Sequence, residues 1–284
     1  MPGSGSWSSR AADKRLVDNL KLYFRLIGLR VRSQLEYRAS FLLDALGAGF
    51  ATFIEFLTLA FVLARFGTVG GWALGEIAFL FGMAETSFAV MDMLFSGFDP
   101  SFFGQLIQRG TFDQFLLRPL RLPLQIFTAE FIVRRVGRIA NGLLILAFSL
   151  SLTPIQWTVD KLLYLPVVLA SAIAFFGGLF VAGASLCFWT VESVEVVNIF
   201  TYGGTTMLSY PLHIYHDVMR KIFLYVVPAG LVIYYPALYF LGKPDPLGLP
   251  FFAPFLAPLA GFGTLFAAFA LWHYGLRKYT STGT

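Results

Sequence analysis

The chain has 284 residues, of which 57 % are hydrophobic and 13 % charged, with a formal net charge of +5. A soluble domain carries about 25 % charged residues, whereas here apolar runs of about 20 residues recur, each long enough to cross the hydrocarbon core as a helix. This excludes a soluble fold and a β-barrel, whose strands would read as short alternating segments, and the single cysteine, Cys187, excludes an intrachain disulfide and a cysteine-built metal site.

The expected architecture is all-α and polytopic. Residues 1–13 are Gly/Ser-rich and predict a disordered tail. Over 14–40 the residues Leu16, Leu20, Tyr23, Phe24, Ile27, Val31 and Leu35 recur at three- and four-residue steps, with Lys21, Arg25, Arg32 and Arg38 mostly off that stripe. A basic amphipathic helix beside a span predicts one lying in the membrane interface; the alternative is a cytosolic helix packed on a partner. No short apolar core with a small-residue cleavage site precedes it, so the first span is expected to act as an uncleaved insertion signal. That span covers about Phe41 to Ala64 and contains Asp44 and Glu55 on nearly one helical face. After Arg65 and the turn Gly67–Gly71, the second span runs from about Ala73 to Phe95. It carries Glu76, Glu85 and Asp92, the last two sharing a face. An acid at the depth of Glu85 must face protein or water or be protonated.

Between the second and third spans lies a cytoplasmic region, 97–121, too charged and too short to cross. Asp99-Pro100 starts a short helix with Pro in the permitted first turn, and Phe102, Phe103, Leu106 and Ile107 give it an apolar side. Gly110 is a C-terminal stop and hinge. Thr111 is a candidate cap for a second short helix, Asp113 suits its first turn, and Phe112, Phe115 and Leu116 form its apolar side. Pro119 and Pro123 end the element, and Arg109, Arg118 and Arg121 flank it. The stretch from Leu124 to Arg138 reads as a charged helix.

The third span is expected at about Ile139 to Trp157 and the fourth at Leu162 to Trp189, where Ala174, Gly178 and Ala182 put small residues at every fourth position, a spacing that allows close helix approach in lipid. Glu192, Glu195, Asn198, Gly203-Gly204 and Tyr210-Pro211 break any long span over 190–218. The fifth span is placed at Met219 to Leu241, kinked or shortened by Pro228 and Pro236, and the sixth at Phe252 to Leu276, ahead of the tail 277–284. With the termini inside, 18 Lys and Arg fall inside and three, Arg65, Lys161 and Lys243, outside. That bias places both termini and 97–121 in the cytoplasm and accounts for the positive charge without a nucleic-acid partner.

No catalytic constellation and no phosphate-binding loop is present; Gly242-Lys243 runs into Pro244. His213, His216 and Asp217 lack an evident third metal-site partner, so no metal is assigned, and His273 reads as interfacial. Inside the bilayer, Glu55 and Glu85 are candidates for a translocation path or for hydrogen bonding between helices.

The order of these elements, with the stretches Gly110-Thr111-Phe112-Asp113-Gln114-Phe115-Leu116-Leu117-Arg118-Pro119-Leu120, Ser209–Tyr215 and Val227–Ala237, resembles the ABC-2 type permeases, in particular a bacterial subgroup encoded with a second permease and a separate ATPase. The resemblance implies a bacterial inner-membrane exporter subunit whose cytoplasmic coupling helix, about Pro100–Leu117, sits in a cleft of an ABC ATPase. Phe102, Phe103, Leu106, Arg109, Gly110, Phe112, Asp113, Phe115 and Arg118 are its expected docking residues. It further implies ATP and Mg on that ATPase and no cofactor on this chain. The other partners it implies are a second permease, identical or paralogous, and membrane lipids. The Glu-Ala-Ala loop motif of importers is absent, which favours export; the substrate is left open by the resemblance, and the apolar, Phe-rich interior would suit an amphiphilic or drug-like cargo. The competing readings are a proton- or cation-driven transporter using Glu55 and Glu85, and a membrane scaffold; transport without ATP, or none at all, distinguishes them.

Overall fold

The computed structural model describes residues 25–36, 38–190 and 194–281. The expected disordered tail, the first half of the amphipathic stripe (Leu16, Leu20, Tyr23 and Phe24) and Glu192 lie outside the described residues. Helix α1 covers 25–35, α2 Arg38–Phe66, α3 Leu74–Phe95, α4 Pro100–Gln108, α5 Phe112–Leu116 and α6 Leu122–Ala129. Then follow α7 (Val136–Leu152), α8 (Val159–Leu186), α9 (Val194–Asn198), α10 (Gly204–Leu208), α11 (Asp217–Lys221), α12 (Ala229–Val232), α13 (Tyr234–Leu241) and α14 (Ala257–Lys278). Among the described residues the β pairing is confined to one bridge, Val69 with Trp72, in the turn between α2 and α3.

Five helical stretches are long and apolar enough to cross a membrane: α2, α3 with its continuation into α4, α7, α8 and α14. Helix α3 is the centre of the bundle and is buried along most of its length, which is why its acids need partners inside the protein. Its glycine Gly82 lets α7 close in, since a Cβ there would stand 2.8 Å from the Leu146 backbone. Helix α14 packs on α8 by the same device. A Cβ at Gly261 would meet Ser171 O at 2.2 Å and one at Gly178 would meet Leu265 N at 2.9 Å, so the small-residue stripe of α8 marks a real contact at Gly178.

The sequence reading of the fifth span is corrected. Helix α11 with its π-helical extension Ile222–Val226 and the pair α12–α13 meet at 69° across Val227-Pro228. Proline removes a backbone donor and fixes φ, so the helix breaks there, while Pro236, in the first turn of α13, is tolerated. Both arms return to one end of the bundle. His213, just before α11, reaches Gly70 O with Nε2 at 2.8 Å; Arg220 and Lys221 line a cleft with Pro246, Leu247 and Leu249; Lys243, just after α13, pairs with Glu76 at 2.9 Å. The bent pair is therefore re-entrant.

The fifth passage is made instead by the stretch Val194–Leu208, within the 190–218 segment where the sequence reading broke any long span. From the middle of the stretch Tyr202 donates to Asp99 Oδ2 at 3.0 Å, at the α4–α6 end, and the continuation through His213 reaches Gly70 at the other. Its threonines and Ser209 satisfy themselves within the helix, while Asn198 Oδ1 is left buried without a partner. Thr201 donates to Val197 O (3.1 Å), Thr205 to Thr201 O (2.9 Å) and Ser209 to Thr205 O (3.0 Å), so buried hydroxyls carry no open hydrogen-bonding demand. Among the described residues six passages remain, but Arg220 and Lys221 move to the side opposite α4–α6, and the sequence's charge count becomes 16 against five.

The expected helix from Leu124 to Arg138 is interrupted at Glu130–Ile132. The freed backbone groups find side chains: Ser96 Oγ donates to Glu130 O, Gln34 Nε2 to Phe131 O, and Val133 N to Gln34 Oε1 at 3.0 Å. Gln34 thereby ties α1 to the start of α7. The third span is shorter than expected, ending at Leu152 ahead of Pro154.

Candidate functional site

The α4–α6 end carries the compact element singled out in the sequence. Asp99 starts α4 by accepting from Ser101 N at 2.8 Å and Phe102 N at 3.4 Å, beside Pro100. The chain stops α4 at Gln108 and turns through Gly110, whose φ of +65° suits glycine. Thr111 does not cap α5 as expected; its hydroxyl reaches back to Leu106 O at 3.2 Å, because its backbone is already helical. The C-terminal carbonyls of α5 are served from α6, where Gln125 Nε2 donates to Phe115 O and Leu120 O, each at 3.0 Å.

The element has two faces. Phe103 and Phe112 are fully buried and meet at 5.3 Å between ring centroids. They pack on Phe188 at the end of α8 and on Trp272 of α14, with Phe103–Trp272 at 4.9 Å, Phe112–Phe188 at 5.7 Å and Phe188–Trp272 at 5.0 Å. These mainly edge-on contacts seat the element on the ends of two membrane helices. Phe102, Leu106, Gly110, Asp113 and Phe115 are half-buried, and Arg109 and Arg118 are exposed, the latter 5.2 Å over the Phe115 ring. The open face also carries Gln105, Gln108, Gln114, Leu116 and Leu117, which the sequence reading did not assign to docking. Leu117 is 85 % exposed, an apolar side chain followed in the chain by Arg118 and Arg121. Its sequence signal was a leucine just beyond the amphipathic stripe.

Asp113 is held by the chain's own C-terminal segment: Tyr279 Oη donates to Oδ1 at 3.0 Å and Ser281 Oγ to Oδ2 at 2.5 Å. Burial, then the hydrogen bond to Asp113 and its charge, push the Tyr279 phenol up to about 12, so it remains a donor at neutral pH.

A ladder of ion pairs stands behind this end, between α3 and the start of α7. Arg138 pairs with Glu85 at 2.8 Å, Arg135 with Asp92 at 2.8 Å, and Arg134 with Asp44 of α2 at 3.9 Å. The expectation that Glu85 faces protein is met by Arg138, an arginine the sequence reading placed ahead of the span. Glu55 is not brought to Glu85 as a pair; it is exposed on α2 among Phe53, Ile54 and Leu57. Asp92, Asp99, Glu130, Arg134 and Arg135 line a cleft of about 300 Å³, where burial, followed by the charge of Asp99, raises the Glu130 carboxyl above its usual range.

At the opposite end both ring nitrogens of His213 are engaged, Nδ1 with Tyr234 Oη at 2.9 Å and Nε2 with Gly70 O, while His216 accepts from Val218 N at 3.4 Å. Among the described residues no three His, Cys, Asp or Glu side chains are grouped to hold a metal.

No curated protein and no solved structure matches the chain. A family model does: that of the ABC-2 family transporter proteins, over residues 50–283. The match runs from within α2 to the C-terminal segment, through the α4–α5 element and the re-entrant pair alike. A multi-pass helical bundle with that match is the membrane permease of an ABC-type transporter, a class that works with an ABC ATPase, and the chain belongs to the ABC-2 transporter family.

Proposed function

We propose that this permease is an exporter subunit of a bacterial inner membrane, and that α4–α5 is the coupling element received by a separate ABC ATPase, which binds the ATP and Mg. The observation that carries this reading is the division of α4–α5 into a buried aromatic side, seated on α8 and α14, and an open side of Gln105, Gln108, Arg109, Gln114, Leu117 and Arg118. An exposed apolar side chain beside Arg118 on a face of polar residues suits a docking anchor. Phe103 and Phe112 then act from beneath, holding the element in place, and Phe102, Leu106, Gly110 and Phe115 shape it.

A second permease, identical or paralogous, completes the path in this reading. It covers the face of α2 that leaves Glu55 exposed among apolar side chains, where bare lipid would be a costly neighbour. Glu85 serves structure through Arg138. Both termini lie in the cytoplasm with α4–α6, consistent with 16 of the 21 Lys and Arg on that side. The missing importer motif supports export, and ATP-driven closure of the ATPase pair would switch the path between two packed states. The cargo expected is amphiphilic or drug-like.

The test is co-purification from detergent-solubilised membranes. The ATPase co-elutes with the wild-type chain and is lost from Leu117→Asp and Arg118→Glu, whose own fold stays intact because both side chains are exposed. Undiminished ATPase in both variants would reject the docking role.

A further inference from the structure

The backbone gives α5 little direct purchase on α4. The two helices are joined through Gly110 at φ +65°, a left-handed turn, so a push on α5 is passed on by whatever else holds it. Two attachments do. One is Gln125 of α6, bonded to Phe115 O and Leu120 O. The other is Asp113, bonded to Tyr279 and Ser281.

Tyr279 is the residue directly after α14, its N–H still bonded to Leu276 O at 3.4 Å. Its ring stands edge-on to Phe112 at 5.0 Å and to Phe188 at 5.8 Å. Helix α14 in turn is locked to α8 by backbone approach at Gly261 and Gly178, which leaves no room for one helix to slide without the other. The α3–α7 pair has no such bond to α5 and is braced separately by Glu85–Arg138 and Asp92–Arg135.

We propose that the Asp113–Tyr279 hydrogen bond is a latch through which displacement of the coupling helix is delivered to the α8–α14 pair, with Tyr279 and Asp113 as positioning residues of transport. The inference rests on the ATPase-docking reading above. It gives Asp113 a task inside the chain: the carboxylate faces the C-terminal segment, and the ATPase contact is left to Gln105, Leu117 and Arg118. Phe103, Phe112, Phe188 and Trp272 form the apolar bearing on which the latched unit turns. The phenol suits the task because it is a donor of fixed protonation at neutral pH, aimed at an acceptor that has no other partner within α5.

The experiment uses the full chain reconstituted with its ATPase. Spin labels are placed at Phe66→Cys and Leu259→Cys, exposed positions at the far ends of α2 and α14, in a Cys187→Ser background. The distance between them is measured without nucleotide and after trapping with ATP and vanadate. In the otherwise unchanged chain trapping shifts the distance. Tyr279→Phe keeps the aromatic packing, keeps the bound ATPase, and loses more than half of that shift. Asp113→Ala loses as much, the double variant loses no more than either single one, and Asp113→Asn, which still offers an oxygen acceptor, retains most of the shift. A full shift in Tyr279→Phe with ATPase bound, additive losses, or no shift of α14 in the unchanged chain would each overturn the latch alone. No ATPase on the unchanged chain would overturn the docking reading and the latch with it.

Discussion

Arg138 lays its guanidinium on Glu85, with Nη2 2.8 Å and Nε 2.9 Å from one carboxylate oxygen, and stands 5.1 Å over the ring of Phe88. Both side chains are largely withdrawn from solvent, so each neutralises a charge the other could not hold alone. Removing one partner of such a pair costs about 3–5 kcal/mol, while replacing both with apolar residues of similar volume can be neutral. Arg138→Met is expected to lower the unfolding midpoint in detergent strongly, and Glu85→Gln with Arg138→Met to recover much of the loss. A cation path through Glu85 would make the double variant as inactive as the single one while leaving Arg138→Met stable.

Glycine contacts set the spacing of the bundle. A Cβ at Gly97 would sit 1.9 Å from Ile126 O, where α6 folds back under α3, whereas one at Gly263 meets nothing within 4 Å. Gly97→Ala is expected to destabilise by about 1–3 kcal/mol or more, and Gly263→Ala to leave the midpoint unchanged or slightly raised. Fluorescence-detected thermal unfolding of the two variants checks the contrast.

The Tyr279 phenol is raised from 10.0 to about 12. A group whose folded pKa exceeds its unfolded value contributes stability that is complete below the unfolded pKa and lost as pH rises through the folded one. The latch is therefore constant at neutral pH and fails between about pH 10 and 12. The difference in tyrosinate absorbance between the wild-type chain and Tyr279→Phe should titrate near the upper value; a midpoint at 10 would show that the phenol is neither buried nor held by Asp113.

The re-entrant pair makes a prediction about sidedness. Cysteines at Lys221 and Phe251, both exposed, should be modified on intact cells by a membrane-impermeant maleimide, and cysteines at Gln108 and Leu117 only after permeabilisation. A straight fifth span would protect Lys221 and leave Phe251 reactive.

Much of this was legible in the sequence because it follows from local chemistry. Asp99-Pro100, Gly110 and Pro119 punctuate the coupling element as read, and Pro228 breaks the helix it was expected to break. What escaped was long-range. That Thr201, Thr205 and Ser209 could cross the protein depends on hydroxyls folding back on their own helix, which composition counts as polarity. That Glu85 and Asp92 would find Arg138 and Arg135 depends on the turn Val133–Arg135 and the start of α7 entering the bundle, with arginines that the sequence reading put in a charged helix ahead of the third span. The burial of Phe103 and Phe112 could not be told from an open apolar stripe, since a docking face and a seating face share the same helical period.

In the proposed coupling, the open face of α4–α5 meets an ATPase on the cytoplasmic side. That contact is tested most directly by cross-linking in native membranes, with single cysteines at Gln108, Leu117 and Phe251 in the Cys187→Ser background and a short bifunctional thiol reagent. Gln108→Cys and Leu117→Cys are each expected to yield a cross-linked product containing an ABC ATPase, in an amount that changes when ATP is trapped, and Phe251→Cys to yield none. ATPase cross-linked at Phe251→Cys, or absent from both coupling-element positions while still co-purifying with the chain, would contradict the proposed contact.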